Sequence, residues 1–119
     1  MKKILIADDS LFIRKVLTDI LNRAGYENII TASDGVETIE KCREEKPNLI
    51  FLDIIMDKKD GIEVLEEIRA FDQNVDVVVL TSVGQEDAAS KAMIYGIIDY
   101  ITKPFDEAKI LSIVKRVLG

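Results

Sequence analysis

The stretch LIFLD at residues 49–53 is a run of four apolar residues that ends in a carboxylate. The stretch ILIA at residues 4–7 runs in the same way into Asp8 and Asp9. Both runs are apolar at every position rather than at alternate positions. That pattern is typical of strands in a parallel sheet that is covered on both faces by helices. The two runs therefore predict buried, neighbouring strands that each end in acidic side chains.

Two later runs also end in a reactive group. The stretch VVVL at residues 77–80 runs into Thr81, and YIT at residues 100–102 runs into Lys103, whereas IITA at residues 29–32 adds no such group. The carboxyl ends of neighbouring parallel strands lie at one edge of the sheet, and open α/β sheets bind ligands at that edge. We therefore expect carboxylates, a hydroxyl and an ammonium to converge in one cleft.

Helical patterns alternate with these runs, and each pattern has a start or stop signal. They extend from Ser10 to Gly25, from Val36 to about Glu45, from Asp60-Gly61 to about Phe71, from about Glu86 to Tyr95, and from about Asp106 to Leu118. This alternation predicts βαβ units with right-handed crossovers, and hence a doubly wound α/β fold. Five strands suit the flavodoxin-like order 2-1-3-4-5, with five helices. The length of 119 residues predicts one domain over residues 1–119.

Composition excludes several classes of chemistry. The chain has no histidine, which rules out Ser-His-Asp and Cys-His nucleophile systems and histidine-ligated zinc. Its single cysteine, Cys42, excludes an internal disulfide. The net charge of -6 argues against nucleic-acid binding. No apolar stretch has the length of a membrane span, and the run after residues 1–3 stops too early for a signal peptide, so we expect a cytoplasmic protein that binds no membrane.

The acidic groups at the strand ends need a cation. Asp8, Asp9 and Asp53 would repel one another at close range unless positive charge neutralised them. A site built only from oxygen ligands suits Mg²⁺. The sequence therefore predicts a magnesium site at the carboxyl edge of the sheet.

Taken in order, these features resemble the receiver domain of bacterial response regulators, the CheY-like family. The resemblance covers nearly the whole chain and depends on five features at the expected strand ends. They are the acidic pair Asp8-Asp9, Asp53, the Asp60-Gly61 turn, Thr81, and Lys103-Pro104-Phe105.

The resemblance implies a phosphoryl-transfer switch of two-component signal transduction. Asp53 would be the nucleophile and phosphoacceptor, giving an aspartyl phosphate. Asp9 would bind Mg²⁺ directly, Asp8 directly or through water, and the carbonyl of Ile55 would complete the protein ligands. The chain would catalyse its own phosphorylation and dephosphorylation, without being a metabolic enzyme.

The resemblance also implies roles for three further residues and for partner proteins. Thr81 and Lys103 would bind the phosphoryl oxygens, and Tyr100 occupies the position that rotates on activation. The donor would be a phosphohistidine on a histidine kinase or a histidine phosphotransfer protein. A downstream target would bind the fourth helix, fifth strand and fifth helix.

The chain departs from the family pattern at identifiable positions. Asp57 stands where the family usually has proline, so a rigid turn is lost, and Ile97 stands where the family usually has alanine. Ile55 and Val83, at positions that often tune phosphate lifetime, are both apolar. They offer no side chain to orient an attacking water.

The sequence alone leaves open the mode of action, the type of regulator and the role of two apolar residues. The chain could be a receiver-like binding module that acts without phosphorylation. The run at residues 82–85 and the first helix are similar to stand-alone regulators of the chemotaxis type. Leu11 and Phe12 are unusually apolar for a first helical turn, which indicates either core packing or contact with a partner. A dehalogenase-type phosphatase is disfavoured, because it needs an aspartate where this chain has Ile55.

Overall fold

The computed structural model describes residues 2–56, 58 and 60–119. Within them the chain forms five strands and five α-helices in alternation. The strands are β1 (Ile4–Ala7), β2 (Ile29–Ala32), β3 (Leu49–Asp53), β4 (Asp76–Thr81) and β5 (Asp99–Thr102). The helices are α1 (Leu11–Arg23), α2 (Gly35–Glu45), α3 (Gly61–Phe71), α4 (Glu86–Ala92) and α5 (Glu107–Leu118), and one 3₁₀ turn, Met93–Tyr95, follows α4.

All neighbouring strands are parallel, in the order β2-β1-β3-β4-β5, which confirms the predicted topology. The helices divide between the two faces of the sheet. α1 and α5 pack on one face, against side chains such as Ile6 and Phe51. α2, α3 and α4 pack on the other, against side chains such as Leu5 and Leu52. Because both faces are covered, β1 and β3 are buried along their whole length, as their unbroken apolar sequence predicts.

Side-chain caps fix the loops that leave the carboxyl edge of the sheet. Ser10, Asp34, Asp60 and Asp106 each accept a hydrogen bond from a backbone N–H in the first turn of α1, α2, α3 and α5. These caps satisfy N–H groups that have no partner within the helix. α4 differs, because the side chain of Gln85 accepts a bond from the Ser82 N–H at 2.7 Å and does not cap the helix. The start of α4 is therefore linked to the end of β4.

The third helix begins in direct contact with the loop after β3. The N–H of Gly61 donates to the carbonyl of Ile54 at 2.8 Å. A Cβ at Gly61 would lie only 2.6 Å from the Cα of Ile54 and 2.7 Å from the carbonyl oxygen of Asp53. Glycine is thus required sterically, and α3 supports the backbone around Asp53.

The predicted fourth helix, Glu86 to Tyr95, is shorter than expected. Its α-helical part ends at Ala92, and residues 93–95 form a tighter 3₁₀ turn. Gly96 follows with a φ of 77°, and its N–H bonds the carbonyl of Met93. A left-handed glycine closes the segment in the manner of a C-terminal cap, which the sequence pattern alone did not separate from a continuing helix. None of the helices in the described ranges is long and apolar enough to cross a bilayer.

Candidate functional site

The register of the sheet brings the reactive strand ends to one edge. Ala7 pairs with Leu52, so Asp8 and Asp53 follow at the same level. Asp53 pairs with Leu80, directly before Thr81. The cleft above these three strand ends is therefore lined by groups from β1, β3 and β4, as the apolar runs predict.

Three carboxylates meet in this cleft. One oxygen of each of Asp8, Asp9 and Asp53 lies within 4.8 Å of the others. Asp8 is fully buried and Asp53 is nearly so, whereas Asp9 is exposed at the mouth of the cleft. Oδ1 of Asp8 accepts the N–H of Ser10 at 2.9 Å, and Oδ1 of Asp53 accepts the N–H of Ile55 at 3.1 Å. Each buried carboxylate is thus oriented by the loop that follows it.

Lys103 supplies a positive charge between two of these carboxylates. Its Nζ lies 2.8 Å from Oδ2 of Asp8 and 3.3 Å from Oδ2 of Asp53. Its backbone N–H donates to the carbonyl of Thr81 at 2.7 Å, and a cis bond joins it to Pro104. Burial alone would lower the pKa of Lys103, but its contacts with Asp8 and Asp53 raise that pKa above its ordinary value. The lysine is therefore charged at neutral pH.

The environment of Asp53 disfavours its ionised form. The pKa of Asp53 is raised from 3.8 to about 6, mainly because the carboxyl group is buried and also because of the negative charge of Asp8. The N–H of Ile55 and the ammonium of Lys103 act against this shift but do not cancel it. The ammonium of Lys103 is thus shared between two buried carboxylates, and an additional cation in the cleft would relieve the rise in the pKa of Asp53.

The donors present fit Mg²⁺. Carboxylate oxygens are the ligands that this hard cation prefers. Oδ2 of Asp8 is buried, and among the described residues it has the ion pair with Lys103 but no hydrogen bond of good geometry. A buried oxygen with spare coordinating capacity, beside two further carboxylates, is what a divalent cation requires. Asp8, Asp9 and Asp53 could hold the ion. Ile55 lies two residues after Asp53, and its N–H donates to the Asp53 carboxylate. The carbonyl of Ile55 stays a predicted ligand.

The predicted switch residues lie on either side of a small cavity. Thr81 is buried at the end of β4, whereas Tyr100 on β5 is half exposed. Both line a cavity of about 180 Å³ that continues along α4 past Glu86 and Met93. The cavity offers room beside Thr81 on the side of Tyr100. A switching role for the two residues stays a prediction.

The residues that depart from the family pattern lie in different surroundings, where the structure describes them. Asp57 lies outside the described residues. Lys58 has a left-handed backbone, with φ at 70°, and its Nζ lies 3.3 Å from Oδ2 of Asp34. Ile97 is half buried and packs against the apolar core on the α2, α3 and α4 side. The side chain of Ile55 is 53% exposed and that of Val83 is 85% exposed, so both are open to water.

Arg14 is a site residue that the sequence pattern does not predict. Its Nη1 donates to the backbone carbonyl of Asp8 at 2.7 Å, which adds a second basic side chain to the residues around the acidic pair. The signal in the sequence is weak: Arg14 lies one helical turn after Ser10, so its side chain can fold back over the loop. Periodicity alone does not separate it from any other polar residue of α1.

The family model, the sequence relatives and the solved structures that match this chain agree with one another. The family model for the response regulator receiver domain matches residues 4–115. Chemotaxis protein CheY of Treponema pallidum is 42% identical over 118 residues, covering 98% of this chain and 82% of that protein. Chemotaxis protein CheY of Halobacterium salinarum is 39% identical over 117 residues, covering 98% and 97%. The crystal structure of the receiver domain of NtrX from Brucella abortus superposes with a TM-score of 0.91 at 31% identity, over 98% of both chains.

Proposed function

We propose a function from the premise that this chain belongs to the response regulator receiver domain family. It is a receiver domain of a two-component response regulator and a homologue of CheY proteins. We propose that it accepts a phosphoryl group on Asp53 in a Mg²⁺-dependent reaction and thereby changes the surface that it offers to a target. The observation that carries this proposal is the meeting of three carboxylates with the ammonium of Lys103 at one edge of the sheet.

Asp53 is the proposed nucleophile. Its carboxylate is buried and fixed, with Oδ1 on the N–H of Ile55 and Oδ2 beside Lys103. An oxygen of this carboxylate forms the bond to phosphorus while the bond between phosphorus and the imidazole nitrogen of the donor breaks. The imidazole leaves with the electron pair and takes up a proton from water. The product is an acyl phosphate on Asp53.

Phosphoryl transfer of this kind depends on position and on neutralised charge more than on covalent assistance. Asp8, Asp9 and Asp53, with the Ile55 carbonyl, would hold Mg²⁺, which supplies charge neutralisation for the incoming phosphoryl group. Lys103 offers its ammonium to the phosphoryl oxygens from the side of β5. Its present contact with Asp53 keeps that ammonium within reach of the reacting oxygen.

Thr81 is proposed to report the phosphoryl group to the rest of the chain. Its hydroxyl can follow the new oxygens, because the residue ends β4 beside Asp53. The move would enlarge the cavity that Thr81 shares with Tyr100, and Tyr100 could then turn inward. The surface made by α4, β5 and α5 would change as a result. This is a shift between two packings that both exist before phosphorylation.

The proposed partners follow from this chemistry. A histidine kinase or a histidine phosphotransfer protein would supply the phosphoryl group, since the chain itself has no histidine. A downstream target would read the surface of α4, β5 and α5. Because several relatives are chemotaxis CheY proteins, we propose signalling of the chemotaxis type.

Labelling with acetyl phosphate tests the proposal directly. We expect intact-mass spectrometry to show one added phosphoryl group in the presence of Mg²⁺ and none with EDTA. Hydroxylamine should remove the group, since it cleaves acyl phosphates. Asp53→Asn should abolish labelling, whereas Asp19→Asn, an exposed aspartate on α1, should label normally. A hydroxylamine-stable adduct on Ser10, Thr81 or Ser82 would overturn the assignment, and a lack of any labelling would favour the binding module that acts without phosphorylation.

A further inference from the structure

Arg14 contacts the loop between β1 and α1 at both of its ends. The Nη1 atom of Arg14 donates to the carbonyl of Asp8 at 2.7 Å, and the backbone N–H of Arg14 donates to the carbonyl of Ser10 at 3.1 Å. Asp9 is the residue between the two carbonyls. One residue of α1 therefore binds the backbone on either side of the exposed carboxylate of the acidic cluster.

Other contacts complete the loop around Asp9. The N–H of Asp8 donates to the carbonyl of Ala32 on β2, and Oδ1 of Asp8 accepts the N–H of Ser10. Oγ of Ser10 accepts the N–H of Ile13 at 3.3 Å. The strand, the helix cap and Arg14 thus hold the backbone of the loop from three directions. Of these three backbone contacts, the one from Arg14 comes from a positively charged side chain.

The geometry points to Arg14 as a positioning residue for the proposed metal site, and this inference rests on the proposed function. The guanidinium fixes the carbonyl of Asp8, and the direction of that peptide decides where the carboxylate of Asp9 stands relative to Asp53. Its charge also opposes the repulsion among the three carboxylates. Groups that orient metal ligands without touching the metal usually contribute strongly to affinity.

A magnesium titration compares three variants with the wild-type chain. Arg14→Met keeps the length of the side chain but removes its donors and its charge. Lys15→Met is the matched control, because it removes one charge from the next, exposed position of the same helix. Arg14→Lys keeps the charge but loses the planar guanidinium. Binding is followed by the amide shifts of the loop in ¹H–¹⁵N spectra, and the dispersion of the same spectra reports the fold.

We expect Arg14→Met to raise the Kd for Mg²⁺ about tenfold, in line with residues that orient metal ligands. Lys15→Met should change it less than about twofold, because Lys15 is exposed and the charges of exposed side chains are screened by salt. Equal losses in the two variants would show that only bulk charge matters and would overturn the inference. An unchanged Kd in folded Arg14→Met would do the same.

A second readout does not need the metal. In EDTA, the amides of Asp9 and Ser10 should exchange with solvent faster in Arg14→Met than in Lys15→Met, because the loop has lost a tether. If wild-type protein does not bind Mg²⁺, the proposed metal site fails, while this exchange still decides whether Arg14 holds the loop. If Arg14→Met does not fold, Arg14→Lys decides instead. A weaker Mg²⁺ affinity there supports the inference because the charge is intact, and a wild-type affinity overturns it.

Discussion

The Nζ atom of Lys103 lies 2.8 Å from Oδ2 of Asp8, and the two side chains are 18% and 0% exposed. The pair is therefore largely removed from water. Removing one partner of a buried ion pair leaves the other charge without compensation, which typically costs about 3–5 kcal/mol. Lys103 thus stabilises the fold even without a phosphoryl group, because its ammonium compensates the buried charge of Asp8.

Lys103→Met is expected to lower the free energy of unfolding by about 3 kcal/mol in EDTA, because Asp8 then stays buried without its cation. Millimolar Mg²⁺ should restore part of the loss, since a divalent ion bound to the carboxylates replaces the missing charge. Urea unfolding with and without Mg²⁺ measures both effects. The exposed Lys2→Met variant is the control and should unfold like wild type. A Lys103→Met protein as stable as that control would contradict the prediction.

The raised pKa of Asp53 predicts how stability varies with pH in the absence of metal. The pKa of Asp53 is 3.8 in the unfolded chain and about 6 in the folded one, so the folded state binds the proton more tightly. Asp53 therefore stabilises the fold fully only below its unfolded-state pKa, where it is protonated. That contribution is lost as pH rises through the folded-state pKa, because the buried charge must then form. Asp53→Asn cannot ionise and escapes this loss.

We therefore expect Asp53→Asn to be more stable than wild type in EDTA at about pH 7.5, by on the order of 2 kcal/mol. The advantage should shrink as pH falls from about 6 toward 4. Urea unfolding over this range, with Asp19→Asn as the control, checks the sign and the pH window. A variant that is less stable than wild type at neutral pH, or a difference that does not vary with pH, would show that burial of Asp53 is not the cause.

The apolar groups around the cleft predict a slow loss of the phosphoryl group. Ile55 and Val83 are exposed to water but offer no hydrogen bond to a water in line with the Asp53 phosphoryl group. Ile55→Asn supplies an amide at this position. We expect it to speed dephosphorylation by roughly two- to tenfold, less than general-base catalysis provides, because an amide orients water without taking its proton. Intact-mass spectrometry after removal of the phosphodonor gives the rate, with Ile55→Val as the control. A rate that stays the same or falls in Ile55→Asn would show that water positioning at this residue is not limiting.

The sequence predicted the sheet and the convergence of its strand ends because two constraints act on the same residues. Strands buried on both faces must be apolar throughout, and parallel strands bring their carboxyl ends to one edge. The unbroken run before Asp53 therefore indicates both a central strand and the location of its last side chain. The receiver-domain resemblance is confirmed by the family match over residues 4–115.

The rest depends on side-chain conformation, which periodicity does not encode. The contact between Arg14 and the Asp8 carbonyl needs a long side chain to fold back across a loop. The closer approach of Lys103 to Asp8 than to Asp53 depends on a few tenths of an ångström. Leu11 and Phe12 could have packed inward, but both are largely exposed. The end of α4 at Ala92 is decided by backbone geometry at Gly96, where a helix-like sequence continues to Tyr95.

The two ends of the α4 segment are held differently, which predicts where a conformational change can occur. At its start, Gln85 bonds the Ser82 N–H, directly after Thr81. At its end, Nε of Arg69 on α3 donates to the carbonyl of Tyr95 at 2.7 Å, and the Tyr95 hydroxyl donates to Glu66 at 3.0 Å. We therefore expect a movement of Thr81 to shift the start of α4 directly, whereas contacts with α3 restrain the end of the α4 segment.

Beryllofluoride, which stands in for the phosphoryl group on Asp53, should test this difference. With Mg²⁺ present, we expect amide shift changes to extend through residues 81–105, large from Thr81 to about Ser90 and at Tyr100, and small at Tyr95 and Gly96. Tyr95→Phe removes only the hydroxyl bond to Glu66, so the changes should then spread into residues 93–97. Changes confined to the loops of Asp8, Asp9 and Asp53 would mean that the chain binds the anion without switching. Equal changes at both ends of α4 in the wild-type chain would contradict the prediction. They would mean that the contacts with α3 do not restrain the end of the segment.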